Sequence, residues 1–356
     1  MKFIKKFVAI FAVIAMLFSL SACHGKDEIA ATVTSGENEM KFTSAMYAYA
    51  LISADMEARN TVDAEATSAV EDYYSKQIDG KKFTEWVEER ALKNLKTYAY
   101  YNFKADELGV KLTDEEKANS SSMADMYWTN YGYSQTYEAN GIGLTTYKTM
   151  QEYLTLSNSV FKAIYGTGGE KEVAEKTVKE SMYENFEIVN MISVDTNDME
   201  DKEISALKTK FAGYKNRLEK GETFEKIYTE YYGTEAEDHS GHNHDGVESS
   251  TDHYATVVGS KDTGYAHDAF DDIKKMKVGE VSVYTKIDDK VILIVRKDLS
   301  ADKYYSENLK EPTLWLLKET DYVETYEKEI DDYKIDVSKF AINQFKVKKI
   351  KYPTNQ

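Results

Sequence analysis

Apolar positions along this chain follow two periods and change from one to the other near residue 186. Ile29 to Val33 reads as a short strand, and Ser35-Gly36-Glu37-Asn38 as a turn. A helix capped at Thr43 or Ser44 follows, with Met46, Tyr49, Ile52 and Met56 at helical spacing. After Asp79-Gly80 a long helix is predicted over 83–108. Trp86, Leu92, Leu95, Ala99 and Phe103 fall roughly on one side of it, and Gly109 ends it. Thr113 and Glu116 make a capping-box pattern, and further helices are predicted over 145–165 and 170–183.

From Phe186 the residues become β-branched. A strand is predicted over 187–194, helices over 203–220 and 223–231, and a polar loop over 233–253. A short helix over 267–276 precedes a buried-looking strand over 290–296. The spacing then returns to helical over 311–331, with Pro312 suiting a first turn, and 345–352 alternates loosely as a closing strand. The predicted class is α+β: a helical domain built from the N- and C-terminal segments, with an α/β domain inserted between them. The boundaries are 1–22, 23–185, 186–299 and 300–356.

The first 22 residues stand apart. Lys2, Lys5 and Lys6 precede an apolar run of 14 residues from Phe7 to Leu20, shorter than the ~20 residues of a membrane span. Leu20-Ser21-Ala22-Cys23 looks like a bacterial lipobox, so Cys23 is expected to carry lipid and become the mature N-terminus. Cys23 is also the only cysteine, which excludes an internal disulfide. The formal charge is −17, and removing a signal with three lysines and no acid makes the mature body more negative still. Such a chain lacks the basic face that nucleic acid requires. The expectation is a soluble body outside the cytoplasm, tethered by lipid to the outer face of the bacterial cytoplasmic membrane.

Several stretches together resemble the extracytoplasmic foldases of the PrsA and SurA type, in which a parvulin-like prolyl isomerase domain sits inside a helical chaperone domain. They are Ala31 to Phe42, Asp79-Gly80-Lys81, Ala105 to Glu116, Glu219 to Phe224 and Lys277 to Ser282. The resemblance implies unfolded or nascent secreted polypeptides as partners. Met46, Tyr49, Trp86 and Tyr98 are candidates for holding them, although the same spacing equally serves a helical core.

A parvulin site uses two histidines on adjacent central strands, a nearby Asp or Cys, and Met and Phe around the proline. Its task is to lower a barrier of roughly 20 kcal/mol to rotation about the amide. By the resemblance the histidines fall at Met191 and about Val291, and the acidic or thiol position near Thr234 or Glu235. Phe270 and Tyr265 are the nearest to pocket residues. The expectation is therefore a degenerate site and little isomerase activity.

The polar loop raises a different chemistry. His239, His242 and His244 lie within six residues, with His253 nearby. Such a loop can offer nitrogen ligands for weak binding of zinc, copper or nickel, but without the rigid spacing of a closed site. No cofactor is otherwise implied. Two alternatives stay open beside the chaperone: an active prolyl isomerase, and a metal-binding surface lipoprotein relying on this loop.

Overall fold

The computed structural model describes residues 28–66, 72–233, 254–264, 267–287 and 290–353. Cys23 and the signal, Thr234, Glu235, Tyr265 and the four loop histidines lie outside them. The chain forms two compact units, one of residues up to Ser157 together with Glu329 onward, the other Asn158–Lys328. The divisions fall inside two helices, ahead of and beyond the sequence boundaries at 185/186 and 299/300.

The first unit begins with the hairpin β1 (Ile29–Ser35) and β2 (Asn38–Thr43). Helix α1 (Ser44–Glu65) follows at once, with the Thr43 hydroxyl accepting from the Met46 amide. The expectation of one short strand leading into a helix missed β2. Met40 and Phe42 pair back onto Val33 and Ala31, which extends the apolar face of β1. A two-residue hairpin of β3 (Gln77–Ile78) and β4 (Lys81–Lys82) turns at Asp79-Gly80, both at positive φ (52° and 75°), a conformation that Asp-Gly tolerates.

Helix α2 (Phe83–Leu108) packs along α1, and its Val87, Ala91, Leu95 and Ala99 are buried. Gly109 closes it at φ 69°. The capping box at Thr113 and Glu116 opens α3 (Asp114–Asn130) as predicted, with amide-to-side-chain bonds of 3.1 and 2.8 Å. Then come α4 (Tyr133–Ala139) and α5 (Leu144–Tyr165).

Near the other end of the chain, β9 (Lys334–Val337) pairs antiparallel with β1, giving the order β2-β1-β9, and α11 (Lys339–Ile342) follows. The closing strand is therefore β9. Residues 345–352 are a short 3-10 turn and irregular chain instead, because the Asn140 side chain takes both the N–H and the C=O of Lys351 (2.9 and 2.8 Å).

The second unit contains α6 (Glu175–Asn185), β5 (Phe186–Asp195), α7 (Asp201–Glu219) and α8 (Phe224–Tyr232). Beyond the loop lie β6 (Ala255–Gly259), α9 (Phe270–Lys275), β7 (Val281–Ile287), β8 (Lys290–Lys297) and α10 (Lys303–Asp331). Helix α6 starts later than the predicted 170 because Lys171 and Val173 donate back to the carbonyls of Ile164 and Tyr165 (2.9 and 3.0 Å).

Helix α10 begins before 311, so Pro312 is interior to it. Proline there removes one intrahelical donor. The surrounding packing offsets this: Trp315 stacks on Phe161 with centroids 3.8 Å apart, and the Thr313 hydroxyl donates to the Leu309 carbonyl at 2.6 Å.

The sheet is antiparallel throughout, in the order β6-β5-β8-β7. Side chains on its strands alternate between faces. Ile192, Val291 and Leu293 meet Leu207 and Phe211 of α7 and Ile227 of α8. Val189, Ile292 and Ile294 meet Phe270 and Ile273 of α9.

Candidate functional site

Two places carry the sequence-predicted chemistry: the central strands of the second unit's sheet, and the aromatic side of the first unit's helices.

The central strands are β5 and β8, which carry Met191 and Val291. Met191 lies opposite Ile294 and packs with the α9 cluster, whereas Val291 lies opposite Val194 and is buried on the α7/α8 face. The two residues thus point to opposite sides of the sheet and cannot form one site. Strand period 2 shows which β8 positions share a face with Met191: they are Ile292 and Ile294. Phe270 does join Met191, on the α9 side, where both belong to one apolar cluster. Under helix α9, Phe270, Ile273, Ile292 and Ile294 are buried, and Met191 is half-buried beside them.

The polar chemistry on that face is an ion pair. The Glu187 carboxylate accepts two bonds from the Arg296 guanidinium (2.8 and 2.9 Å), with both side chains largely buried. Arg296 also donates to the carbonyls of Lys274 and Met276, which fastens the end of α9 to the sheet. Bidentate geometry makes the pair specific. Nearby, the Tyr284 hydroxyl contacts Met276 Sδ at 3.4 Å.

In the first unit, Tyr49 and Tyr98 are buried in the core. Tyr49 stacks on Tyr137 (5.4 Å, 13°) and meets Tyr147 edge-on, while its hydroxyl accepts from Gln151 Nε2 at 2.9 Å. Burial pushes its phenol up to about 12. Burial likewise raises Tyr98 well above the usual phenol value. Met46 is half-buried, as is Trp86, whose Nε1 donates to Asp79 Oδ2 at 3.2 Å. These four candidates do not make a common surface.

The surface that does exist was missed from sequence. Helix α3 buries Ser120, Ala124 and Trp128, spaced four apart, and Trp128 stacks on Tyr137 at 6.2 Å. Only one stripe of a helix can face the core, so the apolar residues beside it are left outside. Met123 is 52% exposed, Met126 37%, Tyr131 63% and Tyr133 40%. Tyr127 joins them, with its ring 5.3 Å from that of Tyr131 and 5.7 Å from that of Tyr133. Spacings of three and four bring Met123, Met126, Tyr127 and Tyr131 onto adjoining turns. The signal in the sequence is Met123-Ala124-Asp125-Met126-Tyr127-Trp128, which holds two apolar stripes where a one-sided helix needs one. An ion pair from Lys148 to Asp125 (2.8 Å) holds α3 against α5.

Among the described residues, no group of three or more His, Cys, Asp or Glu could hold a metal ion, and no helix is long and apolar enough to cross a membrane. The described histidine His267 lies 3.5 Å from Asp268.

The sequence matches no protein-family model and no curated protein. Solved structures similar to it include two foldases. One is the foldase protein PrsA from Streptococcus pneumoniae, at 15% identity, 73% of this chain and 93% of that one, with a TM-score of 0.41. The other is PrsA from Bacillus subtilis, at 19% identity, 73% of this chain and 92% of that one, with a TM-score of 0.33.

Proposed function

We propose that the protein is an extracytoplasmic, lipid-anchored chaperone that holds unfolded secreted polypeptides, and that its α/β domain is a parvulin-like domain with little or no isomerase activity. The observation that carries this is the stripe of exposed Met123, Met126, Tyr131 and Tyr133 around half-buried Tyr127. Methionine is flexible and polarizable and adapts to differently shaped apolar segments. Tyrosine adds apolar area with a polar tip, so the stripe stays compatible with water when empty. The low isomerase activity is supported by the α9 face of the sheet, where Met191 and Phe270 sit in a filled apolar cluster. The location rests on the signal and lipobox ending at Cys23.

The test is refolding of an aggregation-prone polypeptide whose folding is limited by X-Pro isomerisation, with chelator present. The expected result is a higher yield at an unchanged rate, and a yield near the unassisted one when Met123, Met126 and Tyr131 are all changed to Ser. A faster rate would overturn the assignment of low isomerase activity. An unaltered yield with the triple variant would remove the stripe as the client surface.

A further inference from the structure

The last part of this acidic chain is basic. From Val337 to Gln356 there are five lysines (Lys339, Lys346, Lys348, Lys349 and Lys351) and no acid, against a formal charge of −17 for the whole. All five are exposed, and none forms an ion pair with a carboxylate among the described residues. Lys346 donates to the neutral Asn343 side chain, and Lys348 lies 5.6 Å from the centre of the Tyr74 ring. What sets the segment apart is the lack of any acid among its 20 residues, whereas lysines such as Lys104, Lys179 and Lys318 have a carboxylate within a turn of their helices.

The segment is fixed in place. Phe345 packs against Tyr47 of α1 at 6.4 Å, Asn140 brackets the Lys351 backbone, and the Tyr352 hydroxyl donates to buried Asp55 at 2.6 Å. Lys346, Lys349 and Lys351 rim a cavity of about 230 Å³ floored by Ala48, Leu51 and Ile52 of α1.

The position of the chain's start gives this segment a context. Strand β1 pairs with β9, and the Ser338 amide donates to the Ala30 carbonyl at 2.9 Å, so α11 begins beside the first residues of β1. Helix α11 carries Lys339 and Phe340, the latter 72% exposed, and Ile29 alongside is 39% exposed. Cys23 precedes Glu28 by five residues, and an extended chain of that length spans at most about 18 Å. A lipid on Cys23 would therefore hold the bilayer within that distance of Glu28, at the end of β1 beside which α11 begins.

We infer that α11 and the lysine segment after it form a membrane-docking face that binds anionic lipid headgroups, with Phe340 entering the interface. The inference rests on the lipid-anchor assignment for its geometry, but not for its chemistry. A basic segment near an anionic leaflet gains roughly fivefold in partitioning per lysine at the surface. One acyl signal plus a basic patch is a combination that anchors stably. The acidic remainder is repelled by the same leaflet, so the two charges together set an orientation.

The test is co-sedimentation of the mature chain, made without lipid from residue 24, with vesicles of equal phosphatidylglycerol and phosphatidylcholine or of phosphatidylcholine alone. Binding to the anionic vesicles is expected to exceed that to the neutral ones by at least about tenfold at low salt, and to vanish at high salt. Changing Lys346, Lys348, Lys349 and Lys351 to Gln should abolish it, and Phe340→Ser should weaken it about threefold. The salt response of the unaltered chain decides the matter even if the quadruple variant misfolds. Equal binding to both vesicles, a quadruple variant that binds normally, or binding to polyglutamate without vesicle binding would overturn the inference. The mass of the full protein extracted from membranes reports acylation of Cys23 separately. A full protein whose mass shows no acyl group, together with vesicle binding by the chain from residue 24, would sink the anchor and leave the docking face standing.

Discussion

The two units treat apolar side chains in opposite ways. In the second, the sheet is filled on both faces, and Met191, Phe270, Ile292 and Ile294 are packed under α9 with the Glu187–Arg296 pair fastening that helix. In the first, a stack of aromatic rings runs from Tyr49 through Tyr137 to Trp128, and the apolar character continues onto the surface through Tyr133, Tyr127 and Tyr131. The difference teaches that a covered sheet and an uncovered helix stripe can occur in separate units of one chain. Contiguous apolar exposure marks interaction surfaces, while a filled cleft has no room for a ligand.

The contrast is broken most severely by removing the ring that joins core to surface. Trp128→Ala should cost about 3–5 kcal/mol, seen as a lower urea midpoint by circular dichroism. A change below about 1 kcal/mol would mean the stack is not core. In the second unit, Glu187→Ala leaves Arg296 buried without its partner and should cost about 3–5 kcal/mol. Hydrogen exchange should then rise first in α9 and β8; faster exchange confined to the first unit would contradict this.

Alkali sharpens the contrast next. Tyr47 and Tyr49 are held at about 12, chiefly by burial, while an unfolded tyrosine titrates near 10. Below pH 10 both states keep the phenols neutral and stability is complete. Between pH 10 and 12 the unfolded chain ionises first, so each phenol withdraws up to about 3 kcal/mol as pH rises through its folded value. The part of the phenolate absorbance that is lost when Tyr47 and Tyr49 are changed to Phe should rise together with loss of helix; that part appearing with helix intact would show the two rings to be accessible. The smallest effect on stability is expected from Met123→Ser with Met126→Ser, within about 0.5 kcal/mol, despite its large effect on holding. A fall above 2 kcal/mol would make the stripe core.

Much of the fold was legible because local chemistry decides it. The capping box at Thr113 and Glu116, the stop at Gly109 and the strand over 290–297 are set by caps, a positive φ and β-branching, all of them local. What failed depended on distant partners. Pro312 became interior because Phe161 stacks on Trp315, and 345–352 did not become a strand because Asn140 takes its backbone. The site was less legible. Helical spacing placed Tyr49 and Tyr98 on an apolar stripe but could not say which stripe faces inward. Placing Val291 as the partner of Met191 was one residue out of phase, which in a strand reverses the face.

The pairing of β1 with β9 also has a consequence in time. A chain made from its N-terminus presents Ile29–Ser35 early, yet the neighbour of that strand, Lys334–Val337, follows about 300 residues later. The second unit is continuous over Asn158–Lys328 and can complete itself before then. The unit bearing the exposed stripe would thus be the last to mature, its hairpin waiting with one edge open for the final stretch of chain.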